Sequence, residues 1–316
     1  MRGWGPCGWS SILRTPTIFL QVMNDLKEFK KIFDPILKQY LDKRIETFSE
    51  NINDPFLLDI VSYPQKLIES GGKRIRPFIA YLMYRALGGK EIEKALELFI
   101  SLELFHNFAL IHDDIMDKDS IRHGVQTIHE YVKEKLQKEG RFGDLSHIGN
   151  SQAILLGDIL LAWAFSIFDE VNLDKDKLRS AKLFFNKMAD DVVLGQIIDI
   201  DIPSRKDIPK ELIDKKDKLK TASYTFIRPL QIGASLVKID KNIEKFCEDL
   251  GLNLGLAFQM QDDLLDAENT QTKQETVKKI EEHLQKAKEI IEKSKLSNNY
   301  KKEFYKFIDT IKDRGN

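Results

Sequence analysis

Hydrophobic residues recur at intervals of three and four along most of this chain, which is the period of an α-helix rather than a strand. Alternation typical of strands is hard to find, and glycine (17) and proline (9) are scarce for 316 residues. The pattern predicts an all-α protein of about ten long helices, packed as a large bundle. Its opening amphipathic helix carries the apolar stripe Phe29, Ile32, Phe33, Ile36, Leu37 and Tyr40.

One segment, Ile92 to His112, is apolar nearly all round, so we expect a central helix there. We predict loops at 118–150, together with a polar helix, and a lysine-rich turn at 205–220. The tail after Asp266 has two amphipathic pieces, separated at Ser297-Asn298-Asn299. No Gly/Ser/Pro-rich linker interrupts the chain, which favours a single domain. Further helices are predicted at 57–67, 77–87, 153–168, 181–202, 221–236 and 250–266.

Composition narrows the function classes. Net charge is −1 with both signs mixed throughout, so nucleic acid is not an expected partner. Two cysteines, Cys7 and Cys247, are too few for a disulfide framework and suit a reducing, cytoplasmic location. No apolar run reaches the ~20 residues of a membrane span. Residues 1–22 contain no acidic residue and are compatible with an organellar transit peptide, an upstream start or an added extension; the folded domain is predicted at 23–316.

Two acidic motifs end apolar helices. Asp113, Asp114 and Asp117 share the D-D-x-x-D spacing with a second set 149 positions later: Asp262, Asp263 and Asp266. Carboxylates next to apolar surroundings are costly unless a cation is present. A set of oxygen ligands selects Mg²⁺, or Mn²⁺, and Mg²⁺ prefers one or two carboxylates plus substrate phosphates. The pair of motifs therefore predicts a phosphorylated ligand held through metal ions.

A basic segment precedes Pro77 at a predicted helix start, where free N–H groups favour anions. Its cations are Lys73, Arg74 and Arg76, and they predict a second diphosphate site that needs no metal. Other polar residues in apolar surroundings are, taken singly, more typical of hydrogen-bonded core positions than of catalysis. They are His106, Arg122, His123, Gln196, Asp199, Lys220, Thr221 and Gln259.

In this order, the motifs of residues 25–266 resemble those of the trans-prenyltransferases, the isoprenyl diphosphate synthases. The resemblance is carried by Gly71–Pro77, His112–Asp117, Arg122–Gly124, Gly195–Asp199, Lys220-Thr221 and Phe258–Asp266. It implies an isoprenoid synthase fold around a deep central cavity and a homodimer. The reaction it implies is head-to-tail condensation of isopentenyl diphosphate with an allylic diphosphate, which is dimethylallyl, geranyl or farnesyl diphosphate.

The resemblance also implies a role for each residue. The six aspartates hold Mg²⁺ against the allylic diphosphate, which Arg122 and Lys220 help to neutralise. The diphosphate of isopentenyl diphosphate is held by Lys73, Arg76 and His106. The residues Thr221, Gln196 and Gln259 line the reacting carbons, and the expected catalytic set is Asp113, Asp114, Lys220, Thr221 and Gln259.

Product length is expected to depend on the helix that ends in the first aspartates. Phe108 lies five positions before Asp113, as in archaeal-type geranylgeranyl synthases, with Ala109 beside it and Phe105 a turn further down. The expected product is C20, with C15 and C25 as the alternatives.

Two departures from the family pattern stand out. His123 occupies the place of a second arginine, and Ala267 leads directly into the amphipathic tail where the family has a loop bearing glycine and lysine.

Two other functions stay open. A class I terpene cyclase shares the metal chemistry but has no use for Lys73 and Arg76. A weakly active regulatory subunit of a synthase is favoured only by the shortened region after the second motif.

Overall fold

The computed structural model describes residues 26–266 and 270–312, except for the side chains of 265, 266 and 270–272. The side chain of Asp266 and the extension at 1–22 therefore lie outside what the structure describes. Within these ranges the chain is almost entirely helical, which confirms the all-α prediction. Its helices are α1 (Leu26–Ser49), α2 (Pro55–Ser70), α3 (Ile75–Ala86), α4 (Ile92–Asp117), α5 (Ile128–Lys138), α6 (Leu145–Glu170), α7 (Lys175–Asp201), α8 (Lys210–Lys216), α9 (Arg228–Ser235), α10 (Lys241–Asp266), α11 (Thr270–Lys293) and α12 (Asn298–Lys312).

Helix α4 is the central element that its sequence predicted. It is buried from Ala95 through Phe105 on nearly every side, and it packs on α6 along much of its length. The helix continues beyond His112 through all three aspartates of the first acidic motif and ends at Asp117. Its charged residues therefore extend from the end of a core helix, so their orientation is fixed by packing.

The predicted lysine-rich turn at 205–220 is wrong. After a single 3₁₀ turn, Ile202–Ser204, the chain forms α8 and then the π-helical segment Asp217–Ile227, which runs directly into α9. Lysine is a good helix former as well as a residue that prefers solvent. A lysine-rich segment therefore does not by itself indicate a turn. Lys220 and Thr221 are thus on a helix.

Glycines allow this π-helical segment to lie unusually close to its neighbours. A Cβ at Gly195 of α7 would be 2.8 Å from the backbone nitrogen of Lys220, and one at Gly255 of α10 would be 2.2 Å from the Cα of Ala222. Real side chains do not tolerate such contacts. The two glycines therefore set the distance at which α7, the π-helical segment and α10 surround the cavity.

The hairpin after α4, the two tail helices and Cys247 each bear on a prediction from the sequence. A two-stranded hairpin, β1 (Ile121–Arg122) and β2 (Val125–Gln126), lies where a loop was predicted, and His123 in its turn has φ +51°. The amphipathic stripes of the tail, Ile280 to Ile291 and Phe304 to Ile311, are buried against the bundle. Cys247 is a buried free thiol, as expected.

Two helices, α4 and α6, are long and apolar enough to cross a membrane by length and composition. Such helices are weak evidence, because the core helix of a soluble protein passes the same criteria, and the apolar window of α4 is 72% buried. In α6 the buried share is only 39%. The expectation that the chain lacks a membrane span stays a prediction, and the exposed face of α6 needs another explanation.

Candidate active site

A cavity of about 810 Å³ lies between α4, α7, the π-helical segment and α10. Most of its lining is apolar, but each of the four elements contributes polar residues. The predicted site residues that line it are Arg76, His106, Phe108, Ala109, Asp113, Gln196, Lys220, Thr221, Gln259 and Asp262. The structure thus brings together residues that are nearly 190 positions apart in the sequence.

The two acidic motifs meet at this cavity through their first aspartates, Asp113 of α4 and Asp262 of α10. Asp117 and Asp263 are exposed and do not line it. In the described part of the chain no group of three or more His, Cys, Asp or Glu side chains is close enough to hold a metal ion alone. This donor set still fits Mg²⁺, which commonly takes one or two carboxylates and completes its shell with water and phosphate oxygens.

Asp113 is held by residues from two other elements. Gln196 Nε2 of α7 donates to Asp113 Oδ1 at 2.7 Å, and Lys220 Nζ approaches the same oxygen at 3.3 Å. Lys220 also donates to Asp199 Oδ2 at 2.6 Å. Although burial lowers it, these two carboxylates raise the pKa of Lys220 above its usual value. The ammonium therefore stays charged at the mouth of the cavity.

Asp114 points away from the cavity and is only 1% exposed. Its Oδ1 accepts from Arg122 Nε at 2.7 Å and from the second Arg122 nitrogen as well, while its Oδ2 is buried without a partner. Burial raises the pKa of Asp114 to about 6 although Arg122 opposes the shift. In this arrangement Asp114 fastens the hairpin to α4, and Arg122 is engaged with it and with Asp119.

Gln259 of α10 connects the π-helical segment to the second acidic motif. Thr221 Oγ1 donates to Gln259 Oε1 at 2.6 Å, and Gln259 Nε2 donates to Asp263 Oδ1 at 2.8 Å. This chain of hydrogen bonds orients both amide atoms, so the cavity receives a fixed hydroxyl from Thr221. It also explains why Asp263 lies beside the cavity rather than in its lining.

Arg76 supplies the cavity with a cation from the first turn of α3. Its guanidinium carbon lies 4.0 Å from the centre of the Tyr224 ring, and one nitrogen donates to Thr225 Oγ1 at 2.8 Å. Arg76 Nε is buried without a partner. A guanidinium that lines a cavity can bind an anion through charge-assisted hydrogen bonds. Lys73, by contrast, is exposed and does not line the cavity.

His106 lies within hydrogen-bond distance of Tyr224, with 3.0 Å between Nδ1 and the hydroxyl oxygen. Burial, with Arg76 and Arg74 nearby, holds the pKa of His106 well below its usual range, so the ring is neutral. Tyr224 and Thr225 also line the cavity and were not predicted from the sequence. Their signal was helical spacing: Tyr224 follows Thr221 by three and Lys220 by four, which places all three on one helix face.

The residues assigned to chain length have different surroundings. Phe108 lines the cavity, and its ring meets those of Phe105 at 5.3 Å and His112 at 4.7 Å between centroids. Phe105 does not line the cavity; it is fully buried behind Phe108 against Phe185 and Tyr224. Phe105 thus supports the ring of Phe108 from the core side.

The fold and these motifs together define a class of protein. The family model described as Polyprenyl synthetase matches residues 59–306, which is more than half of the chain. The chain belongs to the polyprenyl synthetase family.

Two relatives and one solved structure illustrate the similarity. A geranylfarnesyl diphosphate synthase of Aeropyrum pernix is 34% identical over 67% of this chain and 65% of its own length, and a geranylgeranyl diphosphate synthase of Sulfolobus acidocaldarius is 32% identical over 72% and 66%. A geranylgeranyl pyrophosphate synthase of Corynebacterium glutamicum, solved with isoprenyl diphosphate and magnesium, superposes with a TM-score of 0.84 at 25% identity, covering 92% of this chain and 99% of that one. The chain spans 56 to 66% of the length of the first curated relatives it matches.

Arg122→Met should destabilise the protein in a pH-dependent way. Without Arg122 the buried Asp114 carboxylate loses its charged partner, which costs about 3 kcal/mol of unfolding free energy when the carboxylate is ionised. A carboxyl whose pKa is higher in the folded state loses stability as pH rises through that pKa. We expect a larger loss at pH 8 than at pH 5, measured by urea denaturation at both values.

The matched control for this variant is Arg205→Met, which breaks the exposed pair of Arg205 with Asp201. Surface pairs contribute about 0–1 kcal/mol, so the control should change little at either pH. Equal losses for Arg122→Met at pH 5 and pH 8 would show that Asp114 does not depend on Arg122 for its charge.

Proposed function

We propose that this chain is a Mg²⁺-dependent prenyltransferase that condenses isopentenyl diphosphate head to tail with an allylic diphosphate. One observation carries the proposal: a single cavity is lined by the first aspartate of both acidic motifs, by Lys220, by Arg76 and by the apolar ring of Phe108. Two separate charged regions and an apolar wall suit two diphosphates and a growing hydrocarbon tail.

The allylic diphosphate would be bound where Asp113, Asp262 and Lys220 meet. Magnesium, once held by Asp113 and Asp262 with help from Asp117 and Asp263, would stabilise the charge of the departing diphosphate. Lys220 adds a charge that is already oriented by Asp113 and Asp199. Such preorganised charges favour the transition state, because they need no reorganisation as the leaving group departs.

The second substrate would be bound by Arg76, with Lys73 at the entrance. The guanidinium of Arg76 lines the cavity, and neutral His106 can accept or donate a hydrogen bond without adding charge. The hydroxyl of Thr221 and the amides of Gln196 and Gln259 would lie against the reacting carbons. The apolar lining excludes water, which would otherwise capture an allylic cation.

Two other functions fit this site less well. A terpene cyclase binds one diphosphate, so it does not account for Arg76 in the same cavity as Asp113. A regulatory subunit does not account for two aspartate motifs that converge on one cavity. The condensation reaction explains both observations.

The decisive experiment incubates the purified protein with isopentenyl diphosphate, each allylic diphosphate in turn and Mg²⁺, and analyses the products by chromatography. We expect elongation that EDTA abolishes and that Asp113→Asn lowers by about 10²-fold or more, because a preorganised group acting on developing charge is lost. Hydrocarbons formed from the allylic substrate alone would instead indicate a cyclase. No elongation by a protein with a helical circular dichroism spectrum would favour the regulatory subunit.

Phe108 is proposed to limit the product at C20. On a straight helix it lies about 7.5 Å along the axis from Asp113, at 1.5 Å per residue, so its ring would meet the tail of a diphosphate bound at Asp113. Phe108→Ala should lengthen the product by at least one isoprene unit. Ala109→Phe, at the next position lining the same cavity, adds volume and should shorten the product. Unchanged product length in both variants, determined by chromatography, would contradict this role.

We also propose a homodimer. Exposed apolar side chains lie next to each other on α6, where Ile154 is 43% exposed and Leu155 is 61% exposed. Helix α6 packs along α4, and His112 of α4 lies 3.2 Å from the Ile154 carbonyl. Exposed apolar side chains that lie together are typical of a protein interface.

Leu155→Glu should weaken this dimer, because it places a charge in an apolar interface. We expect the sedimentation coefficient to shift toward the monomer value, because the dissociation constant of the dimer should rise about tenfold or more. Leu57→Glu is the control, since Leu57 is also an exposed leucine but lies on α2. Wild-type protein that sediments as a monomer at micromolar concentration would overturn the dimer proposal.

A further inference from the structure

Arg74, the residue just before α3, has an unusual backbone conformation. Arg74 has φ +55° and ψ +34°, in the left-handed region that residues other than glycine rarely occupy. Its side chain is nevertheless almost completely buried, at 3% exposure. A strained residue with a buried charge persists only when its surroundings determine it strongly, so its contacts explain its presence.

The guanidinium of Arg74 joins three helices. Its Nε donates to Asp34 Oδ1 of α1 at 2.8 Å, one terminal nitrogen donates to Glu103 Oε1 of α4 at 2.7 Å, and the other donates to the carbonyl of Ile68 at 2.8 Å. That carbonyl is in the last turn of α2, where no helical partner is available. The planar fork of arginine suits three acceptors in fixed directions, whereas the ammonium of lysine does not.

The loop before Arg74 is wrapped around this guanidinium. Gly72 has φ +95°, and a Cβ there would lie 2.5 Å from an Arg74 terminal nitrogen and 3.6 Å from Glu103 Oε1. The Gly72 carbonyl accepts from Lys30 Nζ at 2.8 Å. Lys73 is exposed between these two fixed residues, so its position depends on the contacts of its neighbours.

The contacts of Glu103 and Arg76 attach the start of α3 to α4 at two adjacent places. Glu103, which is 2% exposed, holds Arg74. One helical turn further along α4, His106 meets Tyr224, whose ring lies under Arg76. Arg74 itself does not line the cavity. The two attachments fix where Lys73 and Arg76 stand relative to His106.

We propose that Arg74 is a positioning residue: through Glu103, Asp34 and the Ile68 carbonyl it holds the 71–74 loop so that Lys73 and Arg76 can bind the diphosphate of the second substrate. This inference rests on the proposed function and refines it, because the sequence counted Arg74 as one of three cations directed at that anion. Arg74 binds protein carboxylates and leaves the anion to its neighbours.

Glu103→Gln distinguishes positioning from direct binding. If Arg74 contacted the diphosphate, removing the negative charge of Glu103 would leave anion binding unchanged or strengthen it. If Arg74 positions the loop, Glu103→Gln should weaken binding and raise the KM for isopentenyl diphosphate about tenfold, with the KM for the allylic diphosphate within about twofold of wild type. A KM for isopentenyl diphosphate that is unchanged or lower would overturn the proposal.

Arg74→Lys provides the second test, because it keeps the charge and loses the fork. We expect it to raise the same KM as Glu103→Gln does, and we expect the double variant to be no worse than the poorer single variant, since both act through one contact. Lys73→Gln serves as the comparison for a residue that meets the anion directly, and its effect should add to that of Glu103→Gln. Wild-type behaviour of Arg74→Lys in a folded protein contradicts positioning.

Titration calorimetry with inorganic pyrophosphate in the presence of EDTA measures anion binding at the same site without turnover. Wild-type protein should bind pyrophosphate, and Glu103→Gln and Arg74→Lys should each weaken that binding about tenfold at a temperature where circular dichroism shows that both variants are folded. A wild-type protein that binds pyrophosphate but elongates nothing would refute the proposed function while supporting the loop's role. Wild-type protein that does not bind pyrophosphate would refute the positioning proposal itself.

Discussion

The charge of Asp113 is the constraint on which the site depends. It lies near the end of a helix that is otherwise apolar, and its carboxylate is held by Gln196 of α7 and Lys220 of the π-helical segment. A charge in such a position is stable only when it is paired and hydrogen-bonded. Because the pairing groups come from two other elements, satisfying Asp113 assembles three walls of the cavity at once.

The π-helical segment serves this assembly. Over 11 residues it presents Lys220 and Thr221, and one turn later Tyr224 and Thr225, to the same cavity. Its close approach to α7 and α10 requires Gly195 and Gly255. Its outer side is anchored as well, because Asp191 of α7 accepts from Ser223 at 2.5 Å and from Arg228 at 2.8 Å. A rare helical geometry is thus retained where it orients functional groups, as is common at such sites.

Similar residues in these motifs have different surroundings. Asp113 lines the cavity, whereas its neighbour Asp114 is buried against Arg122. Arg76 lines the cavity, whereas Arg74 binds Asp34 and Glu103. In each pair one member meets the ligand space and the other fixes the backbone that carries it. A motif does not distinguish these two roles, because residues of the same type that are close in the sequence can point in different directions.

The sequence alone determined the all-α architecture, the central helix and half of the residues that line the cavity, because helical periodicity and clusters of like charge are local properties. It did not predict the π-helical segment or the place of Tyr224, and it gave no reason to separate the surroundings of Asp114 from those of Asp113. Those features depend on contacts between distant positions: 107 residues separate Asp113 from Lys220, and 118 separate His106 from Tyr224. Only the packed structure decides which charges are paired within the protein and which remain available to a ligand, since that choice is made by neighbours that the local sequence does not contain.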